Sequence, residues 1–325
     1  MFTSLHDYLL DKSCSVEQSE ADRELECGPM PLMPKYFQQS LVFIYPNAAG
    51  ARTDNGFLGA GFIVGHPSPS HPGFHQHYIV TAYHVVKDSE HTAMRLNLTT
   101  GGVFIIKNVP LRAWTLDKKL DLALMPAKLS GYDFSFVSVR KFMDQEKMTR
   151  HEIGAGDEVC LVGRVVRDKM HYLKRNVSVL RFGNIALIPQ YEETMFMVEL
   201  RSIAGHSGSP VMVYCPPYDL SGVRTKEQMW SGYILLGMNR GHFREFEEIV
   251  SARDLKTRSQ HWVSQTNMAM SQIVPAWHIA ALLDKPKLRR QRDRAHADLV
   301  NRLTNVREDD LARQQSTSQT SALTQ

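Results

Sequence analysis

The feature that most restricts the fold of this chain is a succession of short apolar runs rich in β-branched residues, each cut off by Gly, Pro, Asn or Asp before a helix could complete two turns. Leu41–Tyr45 is closed by Pro46, Gly59–Val64 by Gly65, and Tyr78–Ala82 by the turn that carries His84. Further runs fall at Ala93–Leu98, Val103–Ile106, Leu122–Met125, Val159–Val162, Val177–Phe182, Ala186–Ile188, Phe196–Leu200, Val211–Tyr214 and Tyr233–Met238. None has a helical period. Many short strands with few helices between them predict an all-β protein, a sandwich or a pair of barrels. The one clear helix is late, Pro275–Leu283, with proline in its first turn and an apolar face. At 325 residues and 43% hydrophobic content, the chain can fill one large or two modest cores.

Three regions follow from composition. Residues 1–36 are polar, broken by Pro31 and Pro34, and read as a leader outside the core, with the disordered type of composition. Residues 37–283 hold the strands and the helix. Residues 284–325 shift to Lys, Arg, Asp and Gln and predict a basic amphipathic helix followed by a polar tail. Within 285–313 nine Lys/Arg oppose five Asp/Glu, a net +4 that equals the net charge of the whole chain, so the body is near neutral. A solvated helix is the preferred reading of that segment over a contact with nucleic acid or a partner protein, and truncation after Leu283 is expected to leave the chemistry almost unchanged. The N-terminus lacks a basic and apolar signal segment, and no stretch is long and apolar enough to span a bilayer, which predicts a cytoplasmic protein with no membrane contact. Cys14, Cys27, Cys160 and Cys215 have no metal-ligand spacing and read as free thiols. No metal and no cofactor is called for. Asn97-Leu98-Thr99 matches a glycosylation sequon but reads as strand-edge residues.

The chemistry-bearing stretch is Ile203-Ala204-Gly205-His206-Ser207-Gly208-Ser209-Pro210, a small-residue turn that runs into a strand. Glycines on both sides let the backbone approach a substrate, and the N–H groups of Gly205 and Ser207 are placed to converge on one oxygen atom. A serine nucleophile must hand its proton to a base, and the base must be oriented by a third group. His84, at the end of a strand, and Asp121, at the start of one, are the candidates.

Together these stretches resemble the chymotrypsin-like (trypsin-like) serine peptidase family. Thr81-Ala82-Tyr83-His84, Asp121-Leu122-Ala123-Leu124 and Gly205-His206-Ser207-Gly208-Ser209-Pro210 stand in the family's order. Gly59-Ala60-Gly61-Phe62-Ile63-Val64 is similar to its early Gly-x-Gly-Phe strand, and Gly156–Gly163 to the strand that opens its second barrel. Leu236-Gly237-Met238-Asn239 resembles a Gly-Ile-Asn strand of the bacterial high-temperature-requirement and glutamyl-endopeptidase branches. The resemblance implies two six-stranded antiparallel Greek-key barrels, divided near 140–155, with a C-terminal helix and a basic helical tail. It implies a serine endopeptidase acting on polypeptides, with Ser207 as nucleophile, His84 as general base and then acid, Asp121 orienting His84, and Gly205 and Ser207 forming the oxyanion hole. Arg201, Asn239, Arg240 and His242 would border the primary specificity pocket, where the arginines either favour an acidic side chain or point to solvent.

Two departures stand out. Digestive members place an aspartate before the nucleophile to receive a newly cut N-terminus, whereas this chain has His206, so activation by clipping is not expected. Nor is there a disulfide pattern of the secreted members. The rival readings are a non-catalytic scaffold on the same fold and an α/β-hydrolase esterase. The esterase elbow requires Gly where Ser209 stands and a helix where Val211–Tyr214 reads as strand.

Overall fold

The computed structural model describes residues 33–69, 74–129, 134–164, 175–190, 195–215, 232–249, 262–298 and 300–301. Most of the proposed leader and the end of the tail lie outside these residues. Fourteen strands are described, in two sheets. The first sheet holds β1 (Leu41–Tyr45), β2 (Gly59–Pro67), β3 (His75–Ala82), β4 (His91–Asn97), β5 (Val103–Pro110), β6 (Thr115–Asp117), β7 (Leu122–Ala127) and β8 (Val137–Ser138). Its order is β5-β4-β1-β2-β3-β7-β6, with β8 parallel to the far end of β2. The second holds β9 (Glu158–Arg164), β10 (Ser178–Leu187), β11 (Phe196–Glu199), β12 (Pro210–Cys215), β13 (Gly232–Ile249) and β14 (Trp262–Pro275), closed as β10-β11-β14-β13-β12-β9.

The molecule is therefore mostly β, with one closed six-stranded barrel and one sheet that curls without closing. The expectation of two six-stranded barrels is met by the second sheet and in part by the first, which curls without closing among the described residues. Closure there would require β5 to pair with β6. β5 ends at Pro110, which has no N–H to donate, and β6 is three residues long, too short for a ladder. Burial explains the strand that sequence reads most easily: all five residues of β1 are buried, because β1 lies between β2 and β4. β14 was not expected at all. Its sequence, WVSQTNMAMSQIVP, is half polar, and its outer half pairs only with β13, from Arg244↔Asn267 to Ile249↔Trp262. Its inner half pairs with β11 as well and buries Ser271, Ile273 and Val274. The separate runs 177–182 and 186–188 are one strand, β10, with an irregularity between Ile185 and Leu187. Asn97 ends β4 with its amide buried and bonded to the Asn176 carbonyl at 2.8 Å.

The helix Ala276–Leu283 follows β14 as expected and buries Ala276, Ile279, Leu282 and Leu283. A second helix runs over 286–298. It is not a detachable appendage. Leu288 is 1% exposed, and the buried Arg292 bonds the Leu283 carbonyl at 2.6 Å and Asp284 at 2.9 Å. Gln76 on β3 donates to the Arg292 carbonyl at 2.9 Å, and Ser68 meets His296 Nδ1 at 2.9 Å. This helix clasps the β2–β3 end of the first sheet, so the first half of 285–313 packs on the body of the protein. Truncation after Leu283 exposes the surface under Leu288 and removes these bonds. The expected cost is about 2–4 kcal/mol, a fall in Tm of roughly 5–10 °C, measurable by thermal unfolding.

Candidate active site

β3 ends at Ala82 and turns into the single helical turn Tyr83–Val86, which puts His84 on a rigid corner. Asp121 immediately precedes β7, the neighbour of β3, and adopts a left-handed backbone with φ 55°. Asp tolerates that conformation better than most residues. The result is a three-point attachment. The Asp121 carbonyl accepts from Tyr83 N at 2.9 Å, its Oδ1 accepts from His84 N at 2.9 Å, and its Oδ2 meets His84 Nδ1 at 2.6 Å. Asp121 is 7% exposed, while the His84 side chain is 40% exposed. A buried carboxylate at Nδ1 fixes the tautomer with its proton there and leaves Nε2 able to accept a proton.

The nucleophile loop is two successive turns. His206 N bonds the Ile203 carbonyl at 3.0 Å, and Ser209 N bonds the His206 carbonyl at 3.0 Å. Gly205 (φ 93°) and Gly208 (φ 86°) occupy the third position of each, the place where a type II turn needs positive φ. Gly208 N bonds the Asn239 carbonyl at 2.8 Å. The N–H groups of Gly205 and Ser207 have no partner among the described residues. That is the donor pair an oxyanion requires.

The loop and the histidine meet at the start of β2. Ala60 N donates to the Ser207 carbonyl at 2.9 Å, and Thr81, three residues before His84, donates to the Ala60 carbonyl at 2.6 Å. A methyl on Gly59 would lie 2.6 Å from Val85, the residue after His84, and 3.2 Å from the Ser207 carbonyl. The His84 corner and the Ser207 loop thus both pack against Gly59 and Ala60. No hydrogen bond joins the Ser207 hydroxyl to His84 among the described residues. Such bonds tighten when substrate is bound.

Beneath the loop lies a network that sequence reasoning missed. Arg164, the last residue of β9, forms a buried ion pair with Asp54, which also accepts from Tyr45 Oη. The Arg164 guanidinium stacks 4.1 Å from the Phe57 ring, and Phe57 packs on Gly205, where an added Cβ would sit 2.7 Å from Cε1. His206 is fully buried and its Nε2 bonds the Arg164 carbonyl at 2.9 Å. Asp54 and Phe57 read as loop residues in sequence, and nothing local marks them as partners of residues more than a hundred positions away.

Burial lowers the His206 pKa to about 4, against the pull of the Arg164 carbonyl and helped by Arg181 and His242. The unfolded imidazole titrates near 6.5. Between these values the unfolded chain binds more protons, so the contribution of His206 to stability is complete above about pH 6.5 and is lost as pH falls through about 4, on the order of 3 kcal/mol. Burial pushes His66, His77 and His151 the same way. The variant His206→Gln should therefore lose less stability than the parent between pH 7 and pH 4.5, read from urea midpoints at both pH values.

Of the proposed pocket residues, Arg201 is exposed with no side-chain partner among the described residues. Asn239 is fully buried and donates to Ser202 Oγ at 3.1 Å and to the His206 carbonyl at 2.9 Å, so it holds the loop from below. Arg240 turns towards the dyad, with Nε 3.5 Å from Asp121 Oδ2 and Nη1 3.2 Å from Gln272 Oε1. Cys160 and Cys215 are free and buried, and burial pushes both thiols up to about 12, so neither is a nucleophile. The segment after the loop is strand β12, not the helix an α/β-hydrolase elbow requires.

The His84–Asp121 pair and the nucleophile loop thus sit where a closed barrel meets a curled sheet. A family model described as a trypsin-like peptidase domain matches residues 59–213, a span that contains His84, Asp121 and Ser207. Through these residues the chain is similar to the trypsin-like peptidase family. Among solved structures, the chain is similar to the MamO protease domain from Magnetospirillum magneticum, with 14% identity, a TM-score of 0.43 and coverage of 77% of this chain and 98% of that one. It is also similar to the HtrA-type protease AlgW, with 15% identity and a TM-score of 0.37, over 70% of this chain and 52% of that one, so about half of AlgW's length is spanned. No curated protein matches the sequence.

Proposed function

We propose that the chain is a serine endopeptidase that opens peptide bonds through an acyl-enzyme. The observation that carries this reading is the His84–Asp121 pair, in which the buried carboxylate binds Nδ1 at 2.6 Å while the ring stays 40% exposed. In this mechanism Ser207 Oγ attacks the carbonyl carbon while His84 Nε2 takes its proton, and Asp121 offsets the positive imidazolium. The carbonyl oxygen becomes an oxyanion held by the N–H groups of Gly205 and Ser207. His84 returns the proton to the leaving amine, and water repeats the sequence on the acyl-Ser207 ester. The turn is held by Arg164, Phe57 and Asn239, with no part for a newly cut N-terminus.

A second reading, a peptide-binding protein without turnover, is favoured by the missing Ser207–His84 bond. One comparison separates the two. The full-length protein and Ser207→Ala are incubated with a diverse peptide mixture, and new termini are read by mass spectrometry. The peptidase reading requires new termini with the parent only, and it fails if neither protein or both produce them.

A further inference from the structure

Against His84 and Asp121 lies an open cavity of about 400 Å³. Its charged lining comes from every element around it: His84 and Lys87 from the corner after β3, Lys118 and Asp121 from the approach to β7, and Arg240 and His242 from β13. Among the described residues, Asp121 is the only carboxylate in this lining, and it is already engaged. Oδ1 takes the His84 backbone N–H, and Oδ2 takes the imidazole N–H with Arg240 Nε at 3.5 Å. Arg240 is thereby left short of anionic partners: Nη1 reaches the neutral Gln272 amide, and Nη2 has no partner among the described residues. Lys118 stands over the Tyr83 ring at 5.9 Å, and Lys87 meets only the exposed Asp88 at 3.9 Å.

Like charges crowded beside a group that must itself become positive disfavour the transition state. When His84 takes the Ser207 proton, a further cation forms in this cavity, facing Arg240, Lys118 and Lys87 with one shared carboxylate. A carboxylate brought by the substrate would relieve that repulsion as well as pair with Arg240. No residue from 201 to 207 lines the cavity. An acidic side chain seated there therefore belongs not to the cleaved residue but to a neighbour in the substrate sequence, within about three residues at ~3.3 Å per residue.

We propose that this cavity is an acidic-side-chain subsite, with Arg240, Lys118 and Lys87 as specificity-determining residues, and that it selects peptides carrying Asp or Glu beside the cleaved position. The inference rests on the peptidase reading for its effect on turnover, but binding tests it separately.

Two arms decide it. In the first, the full-length protein cleaves a peptide library and a copy of that library whose carboxyl groups have been converted to amides. Asp and Glu should be enriched near the cleaved bonds, and the amidated copy should be cleaved about tenfold to a hundredfold more slowly. Both effects should shrink towards unity in the double variant Arg240→Gln/Lys118→Gln. In the second arm, Ser207→Ala is titrated with fluorescent peptides that differ only by Glu→Gln, and with a single-stranded oligonucleotide. The Glu peptide should bind about tenfold more tightly, with the ratio collapsing in 0.5 M salt and in the Arg240 and Lys118 variants. Equal cleavage of both libraries, or equal binding of both peptides, overturns the subsite. So does oligonucleotide binding that depends on Arg240 while the peptide pair shows no difference. If the parent cleaves nothing, the peptidase reading fails while the binding arm still decides the subsite.

Discussion

Ser207→Ala, His84→Ala and Asp121→Asn are each expected to lower kcat by a factor of about 10⁴ to 10⁶, with double variants losing little more. The non-additivity follows from the geometry. Asp121 reaches the reaction only through His84 Nδ1, at 2.6 Å, and His84 acts only through the Ser207 proton, so removing a second member removes nothing that still functions. Asp121→Asn keeps the shape but favours the wrong imidazole tautomer, since an amide N–H cannot accept from Nδ1–H. Steady-state kinetics on a peptide found in the cleavage screen would measure all three. A fall of less than about tenfold in His84→Ala would remove the base from the mechanism.

The second large effect is expected at Gly208. Its φ of 86° is costly for any residue with a Cβ, and an added methyl would lie 2.0 Å from the Ala60 carbonyl oxygen and 2.6 Å from Thr81 Oγ1. Neither neighbour is the free end of a flexible side chain. β2 and the nucleophile loop would have to separate there, breaking the Ala60 N–Ser207 O bond that ties the first sheet to the loop and disturbing the Thr81 Oγ1–Ala60 O bond beside it. Gly208→Ala should cost about 3 kcal/mol or more, near 10 °C in Tm, and should lose activity even in the fraction that folds. Gly102→Ala is the control. Its φ is 81° but nothing lies within 4 Å, so it should show the backbone penalty alone, about 1 kcal/mol. Equal losses at both positions would mean that the close approach at Gly208 is unimportant.

How far the chain could be read beforehand depends on where each signal resides. β1, β2, β3 and β7 are legible because they are buried along most of their length and their apolar runs are local. The candidate site residues could be named from sequence because each lies in a short stretch: a histidine after a strand, an aspartate before one, a serine between glycines. β14 was illegible because its outer half pairs only with β13, and the open first sheet because closure depends on where Pro110 and the short β6 fall in space. Arg240 was placed at a pocket edge by its position in sequence, but only the packed structure brings its guanidinium to Asp121. The same holds for Asp54 and Arg164, 110 positions apart, whose ion pair underlies the oxyanion turn.

The central claim is that Ser207 is a nucleophile activated by His84, and covalent labelling tests it without knowledge of any substrate. The full-length protein is treated with a fluorophosphonate, and intact mass and peptide mapping read the product. The account predicts a single adduct, located on Ser207, absent from Ser207→Ala and formed at least a thousandfold more slowly in His84→Ala. No adduct on the parent protein, or one that persists in Ser207→Ala, would contradict it.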